Sequence, residues 1–285
     1  MKWTELIKKY RDEQQRFWRR LRQQRMIHGQ QRQLDDLYRE VREQARPVFV
    51  LSTGRAGTKL LTRLLESSKE LMPVHEPAPE LAYHSALAYR EPTGSEALKM
   101  AIDLARYEYI RDAYLVNQRY VETNNRISFF AYYLAELYPQ ARFIHLVRHP
   151  EDFIRSGVAR NWYRGQSIYD EGRIRDEARF KDWRPEQRVA WLWSATNNFI
   201  LRFAGRYPQR SFQLKSETLF AGRQEELNAL WQFLGLDDIT TERVRSVTGR
   251  VENKGQGVKA ALDWRHLEAV AGLTQTMTKF NYSRA

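Results

Sequence analysis

Apolar and polar positions divide this chain of 285 residues into runs with two different periods. "VFVLST" (48–53) is apolar at successive positions between Pro47 and Gly54, the pattern of a strand covered on both faces. "ARFIHLVR" (141–148) and the shorter "SFQLK" (211–215) look similar, and "RYVETNN" (119–125) and "LMPVHE" (71–76) bring the strands to five. Helical periodicity fills the intervals 57–68, 95–115, 127–138 and 185–206. It returns in "RQEELNALWQFLGL" and "LDWRHLEAVAGLTQTMTKF" after the last strand. Strands alternating with helices predict an α/β domain around a mostly parallel sheet. No internal repeat and no low-complexity segment interrupts it.

The first 46 residues follow a different plan. Trp3, Ile7, Tyr10, Phe17 and Leu21 recur in steps of four and three, with Gln14 in the missing seam position, which predicts a helical face. "HGQQ" (28–31) breaks that helix, and Leu34, Leu37, Tyr38 and Val41 start a second. Pro47 marks the boundary, because proline cannot continue a helix cheaply. The division expected is a basic amphipathic helical extension over 1–46 and a main domain over 47–285. The extension is expected to pack as a hairpin on its own domain, with a homodimer contact or a peripheral membrane contact as the alternatives.

Charge narrows the partners. The formal net charge is +12, and residues 1–46 hold 13 Lys/Arg against 7 Asp/Glu. Such an excess calls for an anionic partner: a nucleic acid, an acidic membrane or a phosphorylated small molecule. Acidic residues interrupt the basic ones of the extension, which disfavours nucleic acid. The absence of cysteine excludes disulfides, thiolate metal sites and cysteine nucleophiles. No apolar run approaches the roughly 20 residues of a membrane span. The first residues lack the apolar core of a signal peptide, so a cytoplasmic protein is expected.

Three segments carry candidate chemistry. In "STGRAGTKLL", Gly54 and Gly57 follow the first strand and Thr58 opens a helix, so free N–H groups and the positive helix end face a ligand. A nucleotide-triphosphatase loop has four residues between its glycines and lysine directly after the second. Here two residues intervene and Lys59 comes one place late, which disfavours kinase or ATPase chemistry. In "HLVRHPEDFIRSG", Arg148 ends a strand and Ser156 follows eight residues later, an arginine fork and a hydroxyl suited to a phosphate monoester. "VENKGQG" places Lys254 before glycines near the C-terminus. No histidine–carboxylate cluster at metal spacing is seen, so no metal is expected.

Together these segments resemble the sulfotransferases that use 3′-phosphoadenosine 5′-phosphosulfate (PAPS). "GRAGTKLL" is similar to that family's 5′-phosphosulfate loop, "LVRHPEDFIRSG" to its 3′-phosphate motif and "NKGQG" to its C-terminal Lys-Gly loop. "LKSETLFAGRQEELNALWQFLGL" resembles its strand, acidic turn and helix. The likeness runs from about residue 47 to 283 and leaves the extension outside. It implies a P-loop-like three-layer fold. Arg55, Ala56, Gly57, Thr58 and Lys59 would cradle the 5′-phosphosulfate, with Arg55 also acting on the leaving phosphate. Arg148 and Ser156 would hold the 3′-phosphate, with Lys254 and Gly255 closing over it. Ser216 would lie near the adenine, where many members have tyrosine, and Leu60 replaces the tryptophan that some stack on that ring. Both departures point towards bacterial and carbohydrate-type members.

The resemblance implies in-line sulfuryl transfer to a hydroxyl or, less readily, an amine, of a small molecule, sugar or lipid, and a base to take the proton. Cytosolic relatives use a histidine after the third strand, but "VETNNRIS" has none. Several bacterial and carbohydrate-type members have a glutamate where "MPVHEPAPE" places Glu76, which makes Glu76 the first candidate base, before Glu122 and His75. Residues 77–118 and 158–185 are expected to choose the acceptor. A small-molecule kinase and a non-catalytic anion- or partner-binding protein are the competing readings.

Overall fold

The computed structural model describes residues 33–164, 173–249 and 262–283. Five strands form one sheet: β1 (Val48–Ser52), β2 (Leu71–His75), β3 (Arg119–Thr123), β4 (Arg142–Val147) and β5 (Ser211–Lys215). Their order is β2-β3-β1-β4-β5, and every neighbouring pair is parallel. All five fall on the apolar runs read from the sequence.

Helices cover both faces. Before β1 comes α1 (Leu34–Gln44), and α2 (Thr58–Leu65) links β1 to β2. Next are α3 (Ala82–Arg90) and α4 (Glu96–Leu115), with α5 (Ala131–Leu137) between β3 and β4. After β4 the chain forms α6 (Pro150–Val158), α7 (Glu177–Phe180) and the long α8 (Pro185–Arg206). Past β5 lie α9 (Ser216–Ala221), α10 (Gln224–Leu234), α11 (Thr241–Thr248), α12 (Trp264–Leu267) and α13 (Leu273–Lys279). The helix expected over 127–138 is divided: a 3₁₀ stretch, Asn125–Phe130, precedes α5. Helix α3 falls where no element was expected.

Strand alternation sorts the core into two layers. Phe49 and Leu51 of β1 point into one layer with Phe143, Phe203 and Trp193, beneath α4, α5, α6 and α8. Val48 and Val50 point into the other, with Leu61, Leu64, Leu227 and Trp231 of α2 and α10. This three-layer arrangement is the P-loop-like fold that the resemblance implies. Both layers are needed because a parallel sheet exposes no polar face.

Helix α1 is the described part of the extension, and it is built into the same body. Val41 is fully buried in the first layer. Arg42 and Tyr38 both bond Asp103 of α4. The helix expected around Trp3–Leu21 lies outside the described residues. Among the described residues no helix is long and apolar enough to cross a membrane.

Topology decides where a ligand can enter. The chain leaves β1 towards β2 on one side of the sheet and leaves β4 towards β5 on the other. Adjacent strands whose connections diverge leave a crevice at their carboxyl ends.

Candidate active site

A cavity of about 810 Å³ occupies that crevice. Its wall includes the loop after β1, the tips of β2 and β3, Arg148 after β4, Arg160 and Trp162 beyond α6, and side chains of α2, α3, α8 and α9.

The loop after β1 is shaped by its own hydrogen bonds. Ser52 N–H donates to Ser128 Oγ (2.9 Å), and Gly54 N–H donates to Ser52 Oγ (3.1 Å). Gly57 has φ +87°, and a Cβ there would lie 2.8 Å from Phe220 Cε1, so only glycine fits. Arg55 also takes a left-handed φ of 53°, a conformation that costs a non-glycine residue roughly 1–3 kcal/mol. Two braces hold it. Arg148 Nη1 donates to Arg55 O (2.9 Å), and Ser216 Oγ lies 2.6 Å from Ala56 O and 3.0 Å from Val147 O. No side chain caps the start of α2, so its first N–H groups stay open towards the cavity, beside Thr58 and Lys59 in the wall.

Cations converge on this loop. Arg148 follows β4 and reaches Asp152 Oδ2 with Nη2 (3.2 Å), but its Nε is buried without a hydrogen-bond partner. Arg160, one helical turn beyond Ser156, also lines the cavity. Burial and then the like charges of Arg160 and Arg148 hold the Arg55 guanidinium below its usual pKa, while Glu76 pulls the other way. An orphaned Nε, a glycine cradle and an uncapped helix start, beside three arginines in one wall, fit an anionic ligand.

Some expected residues stand elsewhere. Ser216 and Ala56 are fully buried and outside the wall. The Ser216 hydroxyl braces the loop instead of meeting an adenine. Phe220, one turn along α9, lines the cavity with Leu60 and has the Arg148 guanidinium 5.6 Å from its ring centre. Ser156 is also behind the wall, its Oγ accepting from Arg160 Nη1 (2.9 Å). Lys254 and Gly255 lie outside the described residues.

The candidate bases separate clearly. Glu76 follows β2 with φ 46°, its side chain 56% exposed in the cavity wall. His75 lines the wall beside it, with Nε2 3.8 Å from Glu76 Oε2. His75 Nδ1 is 2.9 Å from Thr123 O, which can only accept, so Nδ1 carries the hydrogen and Nε2 is the free lone pair. Burial keeps that imidazole below its usual pKa, with Glu76 opposing. Glu122 does not face the cleft as its place near a strand end implied. Its side chain is fully buried in the first core layer, where Arg106 Nε (2.7 Å), Tyr120 Oη (3.0 Å) and Asn124 Nδ2 (3.0 Å) all donate to it. A carboxylate so enclosed and paired cannot reach a substrate hydroxyl. No group of three or more histidines and carboxylates among the described residues is placed to hold a metal ion.

Residues 47–240 match the model of a sulfotransferase family, over two thirds of the chain. This chain belongs to the sulfotransferase family. No curated protein matches it by sequence. Among solved structures, this sulfotransferase is similar to the sulfotransferase domain from the curacin biosynthetic pathway. That likeness has 16% identity and a TM-score of 0.56, over 85% of this chain and 100% of that one. The sulfotransferase domain of the Synechococcus PCC 7002 olefin synthase is similar at 19% identity and TM-score 0.51, over 85% of this chain and 97% of that one. At these identities the likeness shows the fold alone. Family and fold together support sulfuryl transfer.

Sequence reasoning missed Phe220 and Arg126 in the wall, and placed Arg160, Trp162 and Arg173 only within the 158–185 stretch expected to choose the acceptor. Arg160 and Phe220 each lie four residues after a residue it did single out, Ser156 and Ser216, so helical spacing could have found them.

Proposed function

We propose that this sulfotransferase moves a sulfuryl group from PAPS to an acceptor hydroxyl by in-line transfer, with Glu76 as the base. The observation that carries this reading is the cluster of Arg55, Arg148 and Arg160 around an uncapped helix start, with the Arg148 Nε unsatisfied. PAPS carries a phosphosulfate and a 3′-phosphate, and this cluster supplies cations for both. The loop N–H groups, Arg55, Thr58 and Lys59 suit the phosphosulfate. Arg148 and Arg160, with Ser156 behind them, suit the 3′-phosphate. Leu60 and Phe220 offer apolar contact to the purine.

In the reaction the acceptor oxygen attacks sulfur as the bond from sulfur to the bridging phosphate oxygen breaks. The hydroxyl proton passes to the Glu76 carboxylate, and the leaving bisphosphate keeps the electron pair. Negative charge then grows on the phosphate oxygen, where Arg55 and the start of α2 are already aimed. Preorganised donors of this kind do not have to reorganise during the reaction. Glu76 and the loop share one cavity, so the base and the groups that receive the leaving phosphate can act on one bound pair of substrates.

Adenosine 3′,5′-bisphosphate, the product, should raise the melting temperature without added Mg²⁺, by ~2.7 kcal/mol of stabilisation at a hundredfold excess over Kd. Arg148→Ala should remove most of that shift. A response to ATP–Mg²⁺ and none to the bisphosphate would overturn this reading in favour of a kinase.

A further inference from the structure

Helix α8 buries two hydroxyl groups and treats them differently. Ser194 Oγ lies 3.1 Å from Thr276 Oγ1. Thr196 is only 2% exposed, yet its Oγ1 has no hydrogen-bond partner among the described residues. A threonine inside a helix has an easy remedy, because its hydroxyl can turn back to the carbonyl four residues earlier. Thr62, Thr248, Thr276 and Thr278 all do so, at 2.8, 2.9, 2.6 and 3.1 Å. Thr196 makes no such bond to Leu192 O and forms part of the cavity wall instead. A buried hydroxyl left unpaired in a binding cavity points to a ligand group that pairs with it.

The surroundings of Thr196 select that group. Leu192, one turn earlier on the same face of α8, lines the cavity with it. Phe129, also in the wall, packs edge-on against Phe199, three residues after Thr196, with 5.2 Å between ring centres. An anion brought among these side chains would lose its hydration without gaining a counter-charge from them. A hydroxyl on an apolar body suits the place, because two hydroxyls can pair whichever of them donates. Ser85 of α3, in the same wall, spends its hydrogen on Arg126 O (2.8 Å), so its Oγ can still accept from a neutral hydroxyl. The reacting hydroxyl is not the one that Thr196 serves. A donor on that oxygen would draw off the electrons that attack sulfur.

We propose that Thr196 determines specificity by hydrogen-bonding a second hydroxyl of the acceptor, apart from the one that receives the sulfuryl group, on an otherwise apolar body. This rests on the sulfotransferase reading above. The free protein keeps the Thr196 hydroxyl unpaired at some loss of stability, and the bond forms when the acceptor enters.

Thr196→Val keeps the shape and removes the hydroxyl, and two measurements follow. The free variant should melt about 2–4 °C higher than the wild type, because an unpaired buried group is gone. Damaged folding cannot mimic that gain, and a hydroxyl with a structural role would give a loss. The second measurement is calorimetric titration of both proteins, already saturated with adenosine 3′,5′-bisphosphate. The probes are linear terminal diols of about six to twelve carbons and the 1-alkanols of the same lengths. At the best-fitting length the ratio of diol to alkanol affinity should be about fivefold higher in the wild type, the effect of one neutral hydrogen bond. A lower melting temperature in the variant, equal ratios at every length, or binding of no probe overturns the proposal. A loss of PAPS affinity in Thr196→Val also overturns it, by giving the hydroxyl to the donor. If the bisphosphate fails to bind the wild-type protein, the sulfotransferase reading fails instead.

Discussion

Two glutamates near the tips of neighbouring strands have opposite fates. Glu122 is inside β3, and strand alternation turns it with Tyr120 into the first core layer. Glu76 is one residue past the end of β2, where a left-handed φ swings it out of the sheet and into the cavity. Two residues of offset in register, together with that left-handed φ, therefore separate a group that can meet a substrate from one that cannot. Glu122 keeps company with Arg106, whose Nη1 and Nη2 also donate to Pro79 O, both at 3.2 Å. The enclosed pair thus anchors the segment that follows the exposed carboxylate. Glu76 offers chemistry, and Glu122 holds its support.

Substitution at the exposed carboxylate should have the largest effect and should leave the fold alone. Glu76→Gln keeps the shape and loses the basicity. Turnover should fall by about 10²–10⁴, equivalent to roughly 3–5 kcal/mol of barrier, while the bisphosphate binds as before. Melting temperature should hardly move, because a half-exposed side chain supports little packing. Undiminished turnover in this variant would break the contrast and pass the proton to His75, whose Nε2 is the nearest other lone pair.

At the enclosed carboxylate the same substitution should exchange the two outcomes. Glu122→Gln leaves the Arg106 guanidinium buried without its counter-charge, at a cost of roughly 3–5 kcal/mol. Denaturant unfolding should show that loss, and turnover should fall only as far as the loosened segment misplaces Glu76. Glu122→Gln with Arg106→Leu should recover part of the stability, since no unpaired charge remains. A Glu122→Gln protein as stable as the wild type but inactive would mean that Glu122 reaches the substrate after all.

The same distinction explains what the sequence could and could not reveal. The strands were legible because a doubly covered parallel sheet demands unbroken apolar runs, which little else in the chain imitates. The anion loop was legible because backbone N–H groups make it, so its glycines and helix start must be contiguous. Ser216 was found by position but misread in role, since nothing in the sequence says that its hydroxyl turns inward to Ala56 O. Nor could β3 be oriented from its letters: Val121 and Thr123 face one layer, Tyr120 and Glu122 the other, and both sides are buried. The rest of the cavity wall was the least legible part: Trp162 and Arg173 fall in the stretch expected to choose the acceptor, but Arg126 and Leu192 join them only through tertiary packing.

His145 gives the smallest and most discriminating check on how enclosure treats charge. It lies in β4 opposite Leu51 of β1, in the same core layer as Glu122, and is nearly as inaccessible. No carboxylate meets it. Its Nε2 is 2.9 Å from Asn197 Oδ1, and Phe280 packs edge-on 5.3 Å from its ring centre. Burial therefore pushes its pKa down to about 4, with the Asn197 hydrogen bond opposing only weakly. Because the folded value is below the unfolded one of about 6.5, the unfolded chain binds the extra proton as pH falls. Stability from this group is complete above pH ~6.5 and declines towards pH ~4, by about 1.4 kcal/mol per pH unit and ~2 kcal/mol by pH 5. His75, also depressed by burial, adds loss of the same sign. Denaturant unfolding at pH 7 and pH 5 measures the sum, and His145→Gln, whose amide can still donate to Asn197, should remove the larger share. A wild-type protein equally stable at both pH values would show that a buried titrating group here keeps its charge without a partner, and the contrast with Glu122 and Arg106 would lose its physical basis.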